Sequence, residues 1–119
     1  MPDDPIFNLE AALDRVEHDR ETVQLMVEVF LVHGPTDLAA TQAALAAQDA
    51  VALSRAAHRL KGALLQVCAP AALAVATRLE AVGNAGDLQA AVDVCATLET
   101  ELRRLWAVLR EVLTKGRAA

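Results

Sequence analysis

The sequence predicts an all-α protein, an antiparallel four-helix bundle with one or two additional N-terminal helices. Hydrophobic residues make up 55% of the 119 residues but aromatic residues only 3%. The apolar residues are mostly Ala, Leu and Val, and Ala and Leu are strong helix formers. Apolar residues also recur at spacings of three and four, as on one face of a helix. The length suits one domain, residues 1–119, with loose tails at 1–6 and 115–119.

The N-terminal half carries boundary signals for three helical segments. Asn8 can cap a short helix over residues 8–16, and Asp19 can cap the next helix. Gly34-Pro35 interrupts or bends that second helix, because proline lacks the backbone N–H that a helix interior needs. A third segment is therefore predicted from this proline to about residue 48.

Three further helices are predicted in the C-terminal half. Asp49 can cap a helix over residues 50–67. Pro70 suits the first turn of the following helix, and Gly83 or Asn84 suits the end of that helix. Asp87 can cap a last helix that extends to about residue 113. The core-facing residues of the first of these helices are Leu53, Ala57, Leu60, Leu64 and Val67. The last helix has an apolar seam at Leu88, Ala91, Cys95, Leu98, Leu102, Leu105, Leu109 and Val112. Because the connections are short, neighbouring helices should run antiparallel.

Charge and composition argue against several classes of function. The net charge of −5 disfavours nucleic acid as a partner, since neutralising phosphates needs clustered Lys and Arg. No apolar run reaches the length of a membrane span, and the acidic N-terminus lacks the basic start of a signal peptide. We expect a cytoplasmic monomer without a membrane partner, a metal or a cofactor of its own. A start at Met1 and the short tail at 115–119 favour a free-standing protein. Cys68 and Cys95 should be small core residues, because free cysteines are commonly buried.

The run Ala57-His58-Arg59-Leu60-Lys61-Gly62 is the most informative motif. His58 lies about 100° around the helix from Ala57, at the edge of the apolar stripe. Lys61 and Gly62 are its neighbours one turn on. The face that His58 shares is mixed and comprises Ser54, Arg55, Lys61, Gly62 and Leu65.

This neighbourhood suits a phosphoryl group on the imidazole. An imidazole has an ordinary pKa of about 6.5, so its neutral, nucleophilic form is abundant near pH 7. Nearby cations, Arg59 among them, would stabilise a phosphoryl dianion. Gly62 costs a helix about 1 kcal/mol relative to alanine, and clearance for a phosphate or partner would explain it. The plain alternative is a surface histidine beside a helix glycine. His18, flanked by acids, and His33, at a predicted helix end, are weaker candidates.

These residues resemble the histidine-containing phosphotransfer (HPt) family, whose motif is roughly Ala-His-x-Leu-Lys-Gly. Leu79-Glu80 and Gly86-Asp87-Leu88 also match the family's pattern, and the resemblance covers nearly the whole chain. The departures lie just after the motif, where the family favours small residues, Asn or Ser, and a later glycine. This chain has Leu64, Leu65, Gln66 and Cys68 at those positions.

The resemblance implies a phosphorelay intermediate. His58 would accept a phosphoryl group from the phospho-aspartate of one receiver domain and pass it to the aspartate of another. The family has no ATP-dependent kinase activity, and the receiver supplies an acidic pocket and the Mg²⁺. Expected partners are response-regulator receiver domains and a hybrid sensor kinase. Lys61 would offset charge on the phosphate, and Glu80 corresponds to a residue on the next helix that approaches the histidine.

The partner surface implied by this reading surrounds His58. Its predicted members are Ser54, Arg55, Arg59, Gly62 and Leu65. Two other functions remain open at this point. One is a binding-only helical adaptor for receiver or kinase domains, which would not need His58. The other is an unrelated enzyme such as a metal-dependent hydrolase, although the three histidines have no helical pairing.

Overall fold

The computed structural model describes residues 4–118, with side chains described for residues 4–115. This part of the chain contains five α-helices and no strand, which confirms the all-α prediction. They are α1 (Leu9–Arg15), α2 (Arg20–Ala46), α3 (Ala50–Gln66), α4 (Pro70–Asn84) and α5 (Leu88–Ala118). Helices α2 to α5 form the bundle, in which α3 packs against α2 and α4, and α5 closes the ring against the same two helices. None of the described helices is both long and apolar enough to cross a membrane.

The predicted caps begin four of the helices. In each case the side chain of the cap accepts a hydrogen bond from a backbone N–H of the first turn: Asn8 from Ala11, Asp19 from Glu21 and Thr22, Asp49 from Ala52, and Asp87 from Ala90. These bonds satisfy donors that have no partner within the helix.

Helix α2 is continuous through Gly34-Pro35, so the predicted break and the separate third segment are wrong. Pro35 removes one backbone hydrogen bond, but the buried face of the helix continues on both sides of it. That face comprises Val23, Val27, Phe30, Gly34, Leu38, Thr41 and Ala44. Burial along this face outweighs the local cost of the proline, and His33 consequently lies within a helix rather than at its end.

The core follows the predicted stripes closely. All five core residues predicted for this segment are buried, four on α3 and Val67 at its C-cap, and most of the α5 seam is buried as well. Cys95 is a core residue, as predicted, and burial raises the pKa of its thiol. Cys68 is only partly buried, because it lies in the turn between α3 and α4 rather than on the stripe.

The chain ends differ from the predicted loose tails where they are described. Helix α5 continues to Ala118, beyond the predicted end near residue 113. At the other end, the Pro5 carbonyl accepts a hydrogen bond of 3.1 Å from the backbone N–H of Ala71, and Ile6 packs against the core. Its apolar side chain gives this segment a reason to dock. The rest of the predicted tails, residues 1–3 and 119, lies outside the described residues.

Candidate functional site

Helix α3 presents one exposed stripe opposite its buried one, so His58 lies farther from the apolar stripe than the predicted position at its edge. Residues spaced four and three apart share a helix face, and the stripe comprises Val51, Arg55, His58, Gly62 and Leu65, all exposed. The His58 side chain is 68% exposed. Sequence reasoning placed all of these residues on the His58 face except Val51, whose position seven residues before His58 is the signal that was missed.

Glu80 of α4 connects the two key side chains of α3. His58 Nδ1 lies 2.7 Å from Glu80 Oε2, and Lys61 Nζ donates to Glu80 Oε1 at 2.6 Å. The Glu80 side chain is only 18% exposed, so it is held between the two helices. The hydrogen bonds from Lys61 and then His58 keep the pKa of the Glu80 carboxyl below its ordinary value. Glu80 is therefore ionised near neutral pH.

The contact with Glu80 assigns the proton on the neutral imidazole ring. An ionised carboxylate can only accept hydrogen bonds, so Nδ1 of His58 is the donor. In the neutral ring the second nitrogen, Nε2, then carries the lone pair. The ring is held by one nitrogen while the other remains available as a nucleophile.

Lys61 reaches Glu80, its ordered partner in this structure, from one turn beyond His58. The side chain is partly buried between α3 and α4. Its ammonium thus balances the negative charge of the Glu80 carboxylate, which is also the hydrogen-bond partner of His58. The predicted role of Lys61 toward a phosphate requires a shift away from Glu80 or a shared position, and it stays a prediction.

Ser54 is already engaged within the protein. Its hydroxyl donates to the Asn84 side-chain oxygen, where α3 and α4 approach closely. A Cβ added at Gly83 would lie 3.1 Å from the Ser54 backbone nitrogen, so glycine permits this approach. Gly83 is therefore a packing residue inside α4, and the left-handed residue after the helix is Gly86, at φ 72°. The predicted partner contact of Ser54 stays a prediction.

The other predicted surface residues are accessible. A Cβ added at Gly62 would meet no atom of the described residues within 4 Å, and Leu65 is 48% exposed. Arg55 and Arg59 are exposed as well. Helix α3 contains these two arginines and Lys61 but no acidic residue, in a chain whose net charge is −5. Helix α3 is thus a basic helix in an acidic protein.

The two remaining histidines lie in different surroundings. His18 is in the turn before α2, where its Nε2 lies 3.2 Å from Asp14 Oδ1 and both side chains are exposed. His33 is exposed on α2, next to a groove that Val29 and Gln66 also line. Neither lies in a mixed basic stripe such as the one that surrounds His58.

Comparison with known proteins now decides the family. The family model of the Hpt domain matches residues 25–108, which include all of α3 and α4. The chain belongs to the Hpt domain family. It is a histidine phosphotransfer protein that serves as a phosphorelay intermediate, and Hpt proteins are carriers that work with receiver domains and kinases of two-component systems.

A solved structure shows the same fold. The crystal structure of histidine-containing phosphotransfer protein B (HptB) from Pseudomonas aeruginosa PAO1 is similar to this chain, with a TM-score of 0.87 and 22% sequence identity. The similarity covers 95% of this chain and 98% of that one. No curated protein matches the sequence.

Proposed function

We propose that His58 is the residue of this Hpt domain that carries the phosphoryl group. The observation that carries the proposal is the contact between His58 Nδ1 and the Glu80 carboxylate, 2.7 Å away. This contact holds one nitrogen as a donor and leaves Nε2 free on an exposed side chain. An exposed nucleophile on a basic helix suits a reaction whose other half comes from a separate acidic protein.

The proposed step is an in-line displacement at phosphorus. Nε2 of His58 attacks the phosphorus of a receiver phospho-aspartate, the N–P bond forms, and the P–O bond to the aspartate breaks with release of its carboxylate. The ring then bears a positive charge, because Nδ1 keeps its proton while Nε2 becomes substituted. The Glu80 carboxylate stabilises that charge. The reverse reaction on a second receiver restores the neutral ring.

The cations of α3 have two tasks in this scheme. Lys61 balances the charge of Glu80 in the resting protein and, together with Arg55 and Arg59, lowers the electrostatic cost of a phosphoryl dianion on His58. They also attract the acidic pocket of a receiver, because opposite charges accelerate association. The charge pattern of α3, three cations and no acids, supports both tasks.

The same proposal specifies the phosphoryl donors and acceptors and the residues that contact them. The donors and acceptors are response-regulator receiver domains, including one attached to a hybrid sensor kinase, and the receiver contributes the Mg²⁺. The protein itself needs no cofactor and has no ATP-dependent kinase activity. It works as a cytoplasmic monomer, and Gly62 and Leu65 contact the receiver.

A phosphotransfer assay with a phosphorylated receiver domain tests the site. The wild-type chain should acquire an acid-labile, alkali-stable phosphate, and His58→Gln should acquire none. His18→Gln and His33→Gln serve as matched controls and should be labelled like the wild type. Equal labelling of the His58→Gln chain would reject the assignment. A wild-type chain that binds receivers yet takes no phosphate would instead indicate the binding-only adaptor.

A further inference from the structure

Helix α3 exposes two large hydrophobic side chains, and both lie on the stripe that contains His58. Val51 is 61% exposed and Leu65 is 48% exposed. Each is seven residues from His58, one on either side. Seven residues make nearly two helical turns, so the two apolar side chains lie about 10 Å before and about 10 Å after the histidine on the same face.

The span of this stripe matches the size of a protein interface. From Val51 to Leu65 the helix rises about 21 Å. A standard interface covers about 800 Å² on each partner, a patch roughly 30 Å across. A partner centred on His58 therefore reaches both ends of the stripe. Protein interfaces combine apolar and polar contacts, and here the basic residues lie between the two apolar side chains.

We propose that Val51 is a second apolar anchor of the receiver interface and acts with Leu65 to set the affinity for receivers. This inference rests on the proposed function of His58 as the phosphoryl carrier. The occupant is a receiver domain, because the surface is continuous with the phosphoryl-accepting side chain and its basic residues suit an acidic pocket. Val51 makes no contribution to the chemical step, since it lies nearly two turns from the imidazole.

Val51 can be truncated without damage to the fold. The side chain is exposed on the first turn of α3, and alanine is the better helix former at such a position. Val92 of α5 is a matched control, because it is also an exposed helical valine, at 54% exposure, and lies on a different helix. Any loss specific to Val51→Ala therefore reports on its position.

The experiment measures single-turnover transfer from a phosphorylated receiver domain that labels the wild-type chain, with the chain in excess over a range of concentrations. The half-saturating chain concentration is taken as KM and the maximal rate constant of transfer as kcat. Val51→Ala should raise KM by about three- to tenfold, the effect of truncating one of the minority of interface side chains that act as anchors, with kcat unchanged. Val92→Ala should leave both constants unchanged. Val51→Ala combined with Leu65→Ala should multiply the two effects on KM, since the positions are well separated.

The outcomes separate this inference from the proposed function. If the wild type is labelled on His58 but Val51→Ala and Val92→Ala give the same KM, the anchor role of Val51 is refuted and the function stands. A fall in kcat for Val51→Ala with unchanged KM would also refute an affinity role. If His58 takes no phosphate in the wild type, the proposed function itself fails.

Discussion

Two glycines in the middle of two helices illustrate opposite uses of a missing side chain. Gly34 of α2 is buried, and a Cβ there would lie 3.1 Å from Trp106 Nε1 and 3.3 Å from Phe30. Gly62 of α3 is exposed, and within 4 Å of a Cβ there lies no atom of the part of the chain that the structure describes. The first glycine makes room for the protein's own core. No described residue fills the space beside the second, which agrees with the clearance for a receiver that the proposed function requires.

The largest effect should come from filling the buried glycine. Gly34→Leu forces a branched side chain against the indole of Trp106 and should lower the free energy of unfolding by about 2 kcal/mol, in the range for overpacked cores. Urea denaturation followed by circular dichroism measures this change. A variant as stable as the wild type would show that α2 and α5 can separate freely here.

Substitution of the exposed glycine should slow phosphoryl transfer without lowering the stability of the fold. Gly62→Gln should slow phosphoryl transfer by at least about tenfold, because a long side chain one turn from His58 displaces the receiver from its reactive position. Its unfolding free energy should not fall, and Gly62→Ala should raise it by about 0.5–1 kcal/mol. Wild-type transfer by Gly62→Gln would remove the argument for clearance.

A smaller effect is expected in the turn after α3. Cys68 has φ 57°, a left-handed conformation that glycine adopts without strain. Cys68→Gly should therefore stabilise the fold by up to about 1 kcal/mol. The control is Cys95→Gly, which removes a buried side chain from α5 and should destabilise. A Cys68→Gly chain that unfolds earlier would show that the partly buried thiol contributes more than the backbone strain costs.

The sequence predicts features that depend on residues within one helical turn, and it fails where packing between helices decides the structure. The caps Asp19, Asp49 and Asp87 act within one helical turn and were predicted correctly. The break at Pro35 was also a local signal, but it was overruled by burial along a face that only the assembled bundle reveals.

The candidate site combines local and distant signals. The neighbours of His58 on α3 follow from helical spacing, and Gly62 and Leu65 were placed on the correct face. Glu80 is 22 residues away, and only the family resemblance pointed to it, because spacing within one helix says nothing about a contact between two. Helical spacing alone places Val51 on the His58 face, but the sequence does not show that its side chain is exposed.

The smallest predicted effect concerns acid stability. The pKa of Glu80 is lower in the folded protein than in the unfolded chain, so its contribution is complete above the unfolded glutamate pKa of about 4.3 and declines as the pH falls toward the folded value. Glu80→Gln cannot titrate at this position. The lower limit of the comparison is about pH 3.5, nearly one unit below the pKa of glutamate in the unfolded chain. Between about pH 7 and this limit the wild type should lose more unfolding free energy than Glu80→Gln. Identical losses in urea titrations would contradict a lowered pKa.

The protonation state of the His58 ring shows directly whether Glu80 leaves Nε2 free. Long-range ¹H–¹⁵N NMR of the unphosphorylated protein, at a pH where the ring is neutral, distinguishes a proton on Nδ1 from one on Nε2. The contact with Glu80 predicts the proton on Nδ1 in the wild type, and a shift toward Nε2 in Glu80→Ala, which lacks the acceptor. A neutral His58 protonated on Nε2 in the wild type would contradict the proposal that Glu80 leaves Nε2 free to take the phosphoryl group.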